Sequence, residues 1–214
     1  MYETIVFDLD GTLLDTLDDL WAAVNAALKK FGLPLRTKEE VCSFIGNGIV
    51  KLMQRASGKE KGEVFDGVLA EFKSYYGEHC EDNTKPYEGI MPLLEELQAR
   101  GIKTAVVSNK ADFAVKKLAE GYFQGLLQEA VGENEEGGIR KKPAPDSLLA
   151  VMERLGACPR STVYVGDSEV DIQTAKNAGV DCISVTWGFK DRAFLIENGA
   201  TVLIDEPRGL LQAL

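Results

Sequence analysis

Basic charge is in short supply in this chain: 24 Lys and Arg stand against 34 Asp and Glu, a formal net charge of −10. That balance argues against non-specific nucleic-acid binding and against docking on anionic membranes. It also works against an anionic substrate, so any phosphate site must be made attractive locally. No apolar run approaches the roughly 20 residues needed to span a bilayer. An apolar strand begins within a few residues of Met1, which leaves no room for a signal peptide and points to a cytoplasmic protein. The cysteines Cys42, Cys80, Cys158 and Cys182 are scattered, with no CxxC pair and no metal-ligand spacing, as expected of reduced thiols in the cytosol. The single histidine, His79, stands beside Cys80 near the end of a helical stretch and reads as a surface residue, not a catalyst. Internal repeats and low-complexity tracts are absent too. What is present, 45% hydrophobic and 27% charged residues over 214, fits a soluble globular chain of one domain plus an insertion.

The rest of the chain is organised around Ile5-Val6-Phe7-Asp8-Leu9-Asp10-Gly11-Thr12. The apolar run reads as a buried strand of a parallel sheet, and it leads straight into two acids. Residues two apart in an extended chain face the same side, so Asp8 and Asp10 can reach one site. Gly11 then lets the chain turn where a Cβ would obstruct it. Two acids at a strand end repel each other unless something cationic sits between them, most simply a metal.

After Asp15, apolar residues recur at helical spacing from Leu17 to Phe31, and Thr37 with Glu40 forms a capping box for a second helix through Phe44. Gly46-Asn47-Gly48 breaks the pattern; a third helix follows over 49–56, and a fourth stripe runs from Val64 to Tyr76. Residues 81–86 read as a polar linker closed by Pro86. From there helices and strands alternate: strands over 102–107, 128–131, 162–165, 182–185 and 201–204, helices over 92–101, 111–120, 146–155 and 172–178, and a terminal helix. An acidic turn over 133–138 reads as a solvated loop. The expected fold is α/β, a doubly wound parallel-sheet (Rossmann-like) core formed by residues 1–13 and 83–214, with an inserted all-helical cap domain over 14–82. The insertion leaves the core at the edge that carries Asp8, so it is placed to act as a lid.

Three further places carry polar residues at strand ends or in loops. Ser108-Asn109 follows the strand 102–107 and precedes a helix start, where both side chains and the helix N–H groups can donate to a phosphate. Lys142 lies in Arg140-Lys141-Lys142-Pro143-Ala144-Pro145-Asp146, a loop stiffened by its prolines. Gly166-Asp167-Ser168-Glu169-Val170-Asp171 follows the apolar strand 162–165, with Asp167 and Asp171 able to face one corner. Taken singly, each has an ordinary structural alternative: a strand-end turn, a solvated basic loop, a helix N-cap.

Together, in this order, they resemble the four motifs of the haloacid-dehalogenase-like phosphohydrolases, and the resemblance covers essentially the whole chain. It is nearest to the helical-cap subgroup that includes phosphoglycolate phosphatases, which Gly46-Asn47-Gly48, Ser108-Asn109-Lys110 and 185–189 also resemble. The resemblance implies a nucleophile at Asp8, a general acid/base at Asp10 and a charge-neutralising Lys142. It implies Mg²⁺ as cofactor on Asp8, Asp10 (by its carbonyl), Asp167 and Asp171, the last directly or through water. Gly11, Thr12, Ser108 and Asn109 would bind the phosphoryl group, and Asn47 the carboxylate of a small acid, although Gly46-Asn47-Gly48 also reads as a helix-breaking turn. The expected activity is hydrolysis of a small phosphorylated metabolite through an aspartyl-phosphate, by a monomer or weak homodimer without nucleic-acid or membrane partners. A dehalogenase has no need of the acid at Asp10, and no cap lysine stands out as the Schiff-base residue of a phosphonate hydrolase. A hexose-phosphate mutase of the same fold and a non-catalytic phosphate-binding module remain as alternatives.

Overall fold

The computed structural model describes residues 2–134 and 137–214; Glu135 and Glu136, in the acidic loop expected over 133–138, lie outside the described residues. The chain divides into two compact units, Met1–Leu14 with Pro86–Leu214, and Asp15–Lys85.

The first unit is built on a six-stranded parallel sheet. Its strands are β1 (Thr4–Phe7), β4 (Lys103–Ala111), β5 (Glu129–Glu133), β6 (Thr162–Gly166), β7 (Asp181–Val185) and β8 (Leu203–Ile204), in the order β5-β4-β1-β6-β7-β8. From β1 the chain winds outward one way through β4 and β5 and the other way through β6, β7 and β8. That reversal beside β1 is the switch point at which open α/β sheets bind ligands, beyond the carboxyl ends of the strands. The register aligns those ends: Phe7 lies opposite Val106 on one side and Val165 on the other. The central strands are apolar on both faces, as a doubly covered sheet requires. Val6, Ala105, Val107 and Tyr164 pack on one side against Leu148, Val151 and Met152 of α7 (Asp146–Leu155) and Ala175 of α8 (Glu169–Ala178). Fully burying each such Val, Leu or Met contributes ~1.5–3 kcal/mol.

The second unit is helical: α1 (Leu17–Lys30), α2 (Lys38–Phe44), α3 (Ile49–Ser57) and α4 (Glu63–His79). The capping box of α2 forms as its sequence dictates, with Glu40 N–H donating to Thr37 Oγ1 (3.2 Å) and Thr37 N–H to Glu40 Oε2 (2.8 Å). Asp19 is 2% exposed, a costly place for a carboxylate. It is held there by the main-chain N–H groups of Asn83 and Thr84, the Asn83 amide and the Thr84 hydroxyl, at 2.8–3.0 Å. Those donors outweigh burial and hold its carboxyl below the usual carboxylate range. His79 is at the surface, 2.8 Å from Asp82.

Several elements differ from the sequence reading. β2 (Leu14–Asp15) and β3 (Lys85–Pro86) pair as a separate two-stranded sheet, so the polar stretch before Pro86 is not wholly a linker. The helix expected to open at Pro92 is α5 (Ile90–Ala99). Its Pro92 falls in the first turn, where a missing N–H leaves no helical bond unmade. β4 runs on to Ala111 instead of stopping at Val107, with its pairing to β5 irregular between Val107 and Ala111. α6 (Asp112–Phe123) follows directly. A short helix, α9 (Arg192–Glu197), capped by Asp191, was not expected at all, and α10 (Leu210–Ala213) ends the chain.

Candidate active site

Asp8 is the first residue past β1 and its N–H still donates to Val165 O (2.8 Å), which holds it in line with the sheet. The chain then closes on itself: Leu13 and Leu14 N–H donate to Leu9 O (both 3.0 Å), and Gly11 N–H to Leu14 O (2.9 Å). This loop needs Gly11, whose φ is +81° and whose hypothetical Cβ would lie 2.4 Å from Asp167 Oδ2. Gly188 closes on the same place, since a Cβ there would meet Gly11 O at 2.3 Å and Asp167 Cβ at 2.4 Å. Thr12 is fully buried, and its main-chain carbonyl accepts from Trp187 Nε1 (3.0 Å).

Lys142 is the cation of this corner, 4% exposed. Its Nζ lies 2.9 Å from Asp8 Oδ1 and 2.7 Å from Asp171 Oδ1, and donates to the Tyr164 hydroxyl (2.9 Å). Tyr164 in turn donates to Val107 O (2.7 Å). The backbone of Lys142 is fixed by Asn109, which accepts from its N–H (2.8 Å) and donates to its carbonyl (3.0 Å). Lys141 turns elsewhere, its Nζ 3.9 Å from Glu133.

Asp167 ends up on the same side, its Oδ2 accepting from Phe189 N–H (2.6 Å). Asp171 caps α8: its Oδ2 accepts from Ser168 N–H (3.1 Å) and Ser168 Oγ (2.6 Å), while Oδ1 is engaged by Lys142. Carboxylate oxygens of Asp8, Asp167 and Asp171 lie within 4.8 Å of one another, all buried. The electrostatic result is excess negative charge. Burial above all, with the charges of Asp171 and Asp10, pushes Asp8 up to about 6 despite Lys142. Burial and the charges of Asp171 and Asp8 push Asp167 well above the carboxylate range. Burial favours neutral Lys142, but Asp171 and Asp8 outweigh it and keep its ammonium charged. Three buried acids facing one ammonium suit a hard cation with oxygen ligands, and Mg²⁺ fits that donor set.

The carboxylate of Asp10 lies outside this cluster; its Oδ1 is 2.9 Å from Lys110 Nζ. Ser108 is buried beside it in sequence, its Oγ accepting from Lys110 N–H (3.3 Å). So Asp8, Lys142, Asp167 and Asp171 meet directly, and Asp10 has a partner of its own. Asn47 belongs to the second unit, where its amide oxygen accepts from Arg55 Nη2 (2.7 Å) between Gly46 and the start of α3. The sequence reading missed two contributors. Tyr164 is hidden in an apolar run, and Lys110, although it belongs to the Ser108-Asn109-Lys110 resemblance, carries no role that the sequence assigns.

Residues 5–185 match the haloacid dehalogenase-like hydrolases, and this chain belongs to that family. Among relatives, a phosphoglycolate phosphatase of Escherichia coli strain K12 is 35% identical over 98% of this chain and 91% of its own length. One from Pseudomonas putida is 35% identical over 97% of this chain and 78% of its own. A solved structure from Lactobacillus delbrueckii subsp. bulgaricus, itself provisionally assigned as a phosphoglycolate phosphatase, superposes with a TM-score of 0.92. It is 39% identical and covers 99% of this chain and 98% of that one.

Proposed function

We propose that this chain is a phosphatase that hydrolyses a small phosphate monoester whose leaving group carries a carboxylate, of the phosphoglycolate kind, through a phosphoryl group carried on Asp8. The observation that carries the reading is the pairing of two carboxylates with two separate cations. Asp8 lies 2.9 Å from Lys142 in the acidic cluster, and Asp10 lies 2.9 Å from Lys110 outside it. That division supports separate roles for the two, Asp8 as nucleophile and Asp10 as acid/base, which a plain phosphate binder does not need.

Asp8, Asp167 and Asp171 with the Asp10 carbonyl would hold Mg²⁺, which when bound supplies positive charge against the phosphoryl oxygens. Lys142 adds its own charge there, kept in place by Asn109, Tyr164 and Asp171. Ser108 and main-chain N–H groups near Asp10 orient the phosphoryl oxygens, those of Gly11 and Thr12 being spent on Leu14 O and Leu9 O. An Asp8 oxygen bonds to phosphorus as the bond to the ester oxygen breaks, and Asp10 gives that oxygen its proton. Asp10 then takes a proton from the water that attacks phosphorus, and the bond to Asp8 breaks to release phosphate. Besides its place in the cation cluster, Asp171 aims the lysine, since one of its oxygens is engaged by Lys142 and the other is held by Ser168. The helical unit, Asp15–Lys85, would serve as the cap domain.

The test is kcat/KM for 2-phosphoglycolate against β-glucose 1-phosphate and the glycerol phosphates, with Mg²⁺ and with EDTA. Phosphoglycolate is expected to lead by about tenfold or more, the worth of one charge contact of roughly 1.4 kcal/mol. EDTA is expected to abolish turnover. If the neutral esters lead, the carboxylate-bearing leaving group is wrong and a phosphatase remains; glucose phosphates interconverted without release of phosphate would instead mean a mutase.

Cation binding should also show in stability. Folded, metal-free Asp8 holds its proton up to about pH 6, above its ordinary value of 3.8, so stability falls as pH rises through that window. A cation relieves charge only where the cluster is ionised. Saturating Mg²⁺ is therefore expected to raise Tm on the order of 5 °C at pH 8 and much less at pH 5. Asp167→Asn should remove most of the rise. An equal rise at both pH values, or one that survives in Asp167→Asn, would place the cation elsewhere.

A further inference from the structure

Ser108, Asn109 and Lys110 sit on the irregular continuation of β4, and Asn109 and Lys110 each hold a different part of the site. Asn109 clamps the backbone of Lys142 at both ends. Lys110 N–H donates to Ser108 Oγ (3.3 Å), and Lys110 Nζ donates to Asp10 Oδ1 (2.9 Å) across 100 residues of chain. The Lys110 side chain is 2% exposed and that of Asp10 13%. An ammonium group buried to that degree is costly unless paired, and here it is paired with the carboxylate assigned to proton transfer.

The terminal torsion of an aspartate is soft, so a carboxylate held only by its stem samples a wide range of orientations. Proton transfer needs one of them, within hydrogen-bond reach of the reacting oxygen. We propose that Lys110 is a positioning residue for Asp10: by holding Oδ1 it fixes the rotation from which Asp10 protonates the leaving oxygen and later accepts the proton of water. This rests on the phosphatase reading above. Lys110 touches neither phosphorus nor the leaving group in this role and acts only through Asp10.

Two substrates and a double variant test it. 2-Phosphoglycolate expels a basic alkoxide that needs the proton of Asp10, whereas p-nitrophenyl phosphate expels a phenolate that leaves without one. Lys110→Met is expected to lower kcat for phosphoglycolate by ~10–10²-fold with little change in KM, part of the full worth of a general acid. The pre-steady-state burst of p-nitrophenol, which reports formation of phospho-Asp8, should be almost unchanged. In an Asp10→Asn background Lys110→Met should add less than about a factor of two, because the residue it acts through is gone. Far-UV circular dichroism and Tm check that the variants fold, Lys110→Ala replaces Lys110→Met if that variant does not, and Lys110→Gln, which keeps a donor, is expected to recover part of the lost kcat. Equal losses on burst and phosphoglycolate turnover, or full additivity with Asp10→Asn, would overturn the positioning role and leave the phosphatase reading intact. A wild-type protein inert towards both esters would overturn the two together.

Discussion

Replacing Asp8 with asparagine is expected to abolish turnover and to leave the fold at least as stable as before. The amide has no charge and a poorly nucleophilic oxygen, so the step that forms the bond to phosphorus loses its donor. The loss should be about 10⁴-fold or more in kcat, the scale seen when a covalent nucleophile is removed. Stability should go the other way. Charged Asp8 is unfavourable in the metal-free fold, as its rise to about 6 records, because it is buried and faces Asp171 and Asp10. A neutral side chain of the same shape removes that repulsion and leaves Lys142 paired with Asp171 at 2.7 Å. Without Mg²⁺ at pH 8, Asp8→Asn should therefore melt at or above the wild-type temperature, and the difference should vanish near pH 4, where wild-type Asp8 is protonated. Asp10→Asn should slow both half-reactions by ~10²–10⁴-fold but not abolish them. Activity in Asp8→Asn close to wild type, with contaminating phosphatase excluded, would sink the covalent mechanism.

The parts of this site that were legible in the sequence are those whose chemistry is local. A run of apolar residues ending in Asp8-Leu9-Asp10-Gly11 states both the strand and its terminus, and the βα alternation after the insertion states the parallel sheet, whereas the strand order that puts β1 beside the switch point is seen only in the structure. Lys142 could be separated from Lys141 by the proline that follows it. Pairings across long stretches of chain were not legible. The apolar pattern of β4 stops at Val107, so periodicity ends the strand there, whereas its irregular pairing with β5 carries it to Ala111. That is why Ser108-Asn109-Lys110 reads as the end of the strand and not its continuation, and why the partner of Lys110 is not visible in the sequence. Tyr164 shows the converse. In an apolar run it looks like core, and it is core, but its hydroxyl bridges Lys142 and Val107. β2 and β3 are two residues each, too short for any alternation to register.

Lys142→Ala tests how much of the site depends on that one cation. Its Nζ serves Asp8, Asp171 and Tyr164 together, with 3% of the side chain exposed. Truncation leaves Asp8, Asp167 and Asp171 buried without a facing ammonium, and removing one partner of a buried pair typically costs ~3–5 kcal/mol. It also removes positive charge from the phosphoryl oxygens, a loss of about 10²–10³-fold in kcat. Lys141→Ala should stay within a few-fold of wild type, because Lys141 lies 3.9 Å from Glu133, with 27% of its side chain exposed, and has no part in the cluster. The pH dependence separates lost charge from lost packing. Without Lys142 the raised proton affinities of Asp8 and Asp167 rise further, so the variant should regain stability at pH 5 that it lacks at pH 8. Lys142→Met, which keeps the bulk and loses the charge, should show the same pH dependence with a smaller packing loss. Lys142→Arg should not restore activity, since a planar fork cannot replace a point charge with three short contacts. Steady-state kinetics of the lysine variants with melting curves at the two pH values decide the matter. Equal kinetics for Lys141→Ala and Lys142→Ala, or the reverse ranking, would show that the wrong lysine faces Asp8.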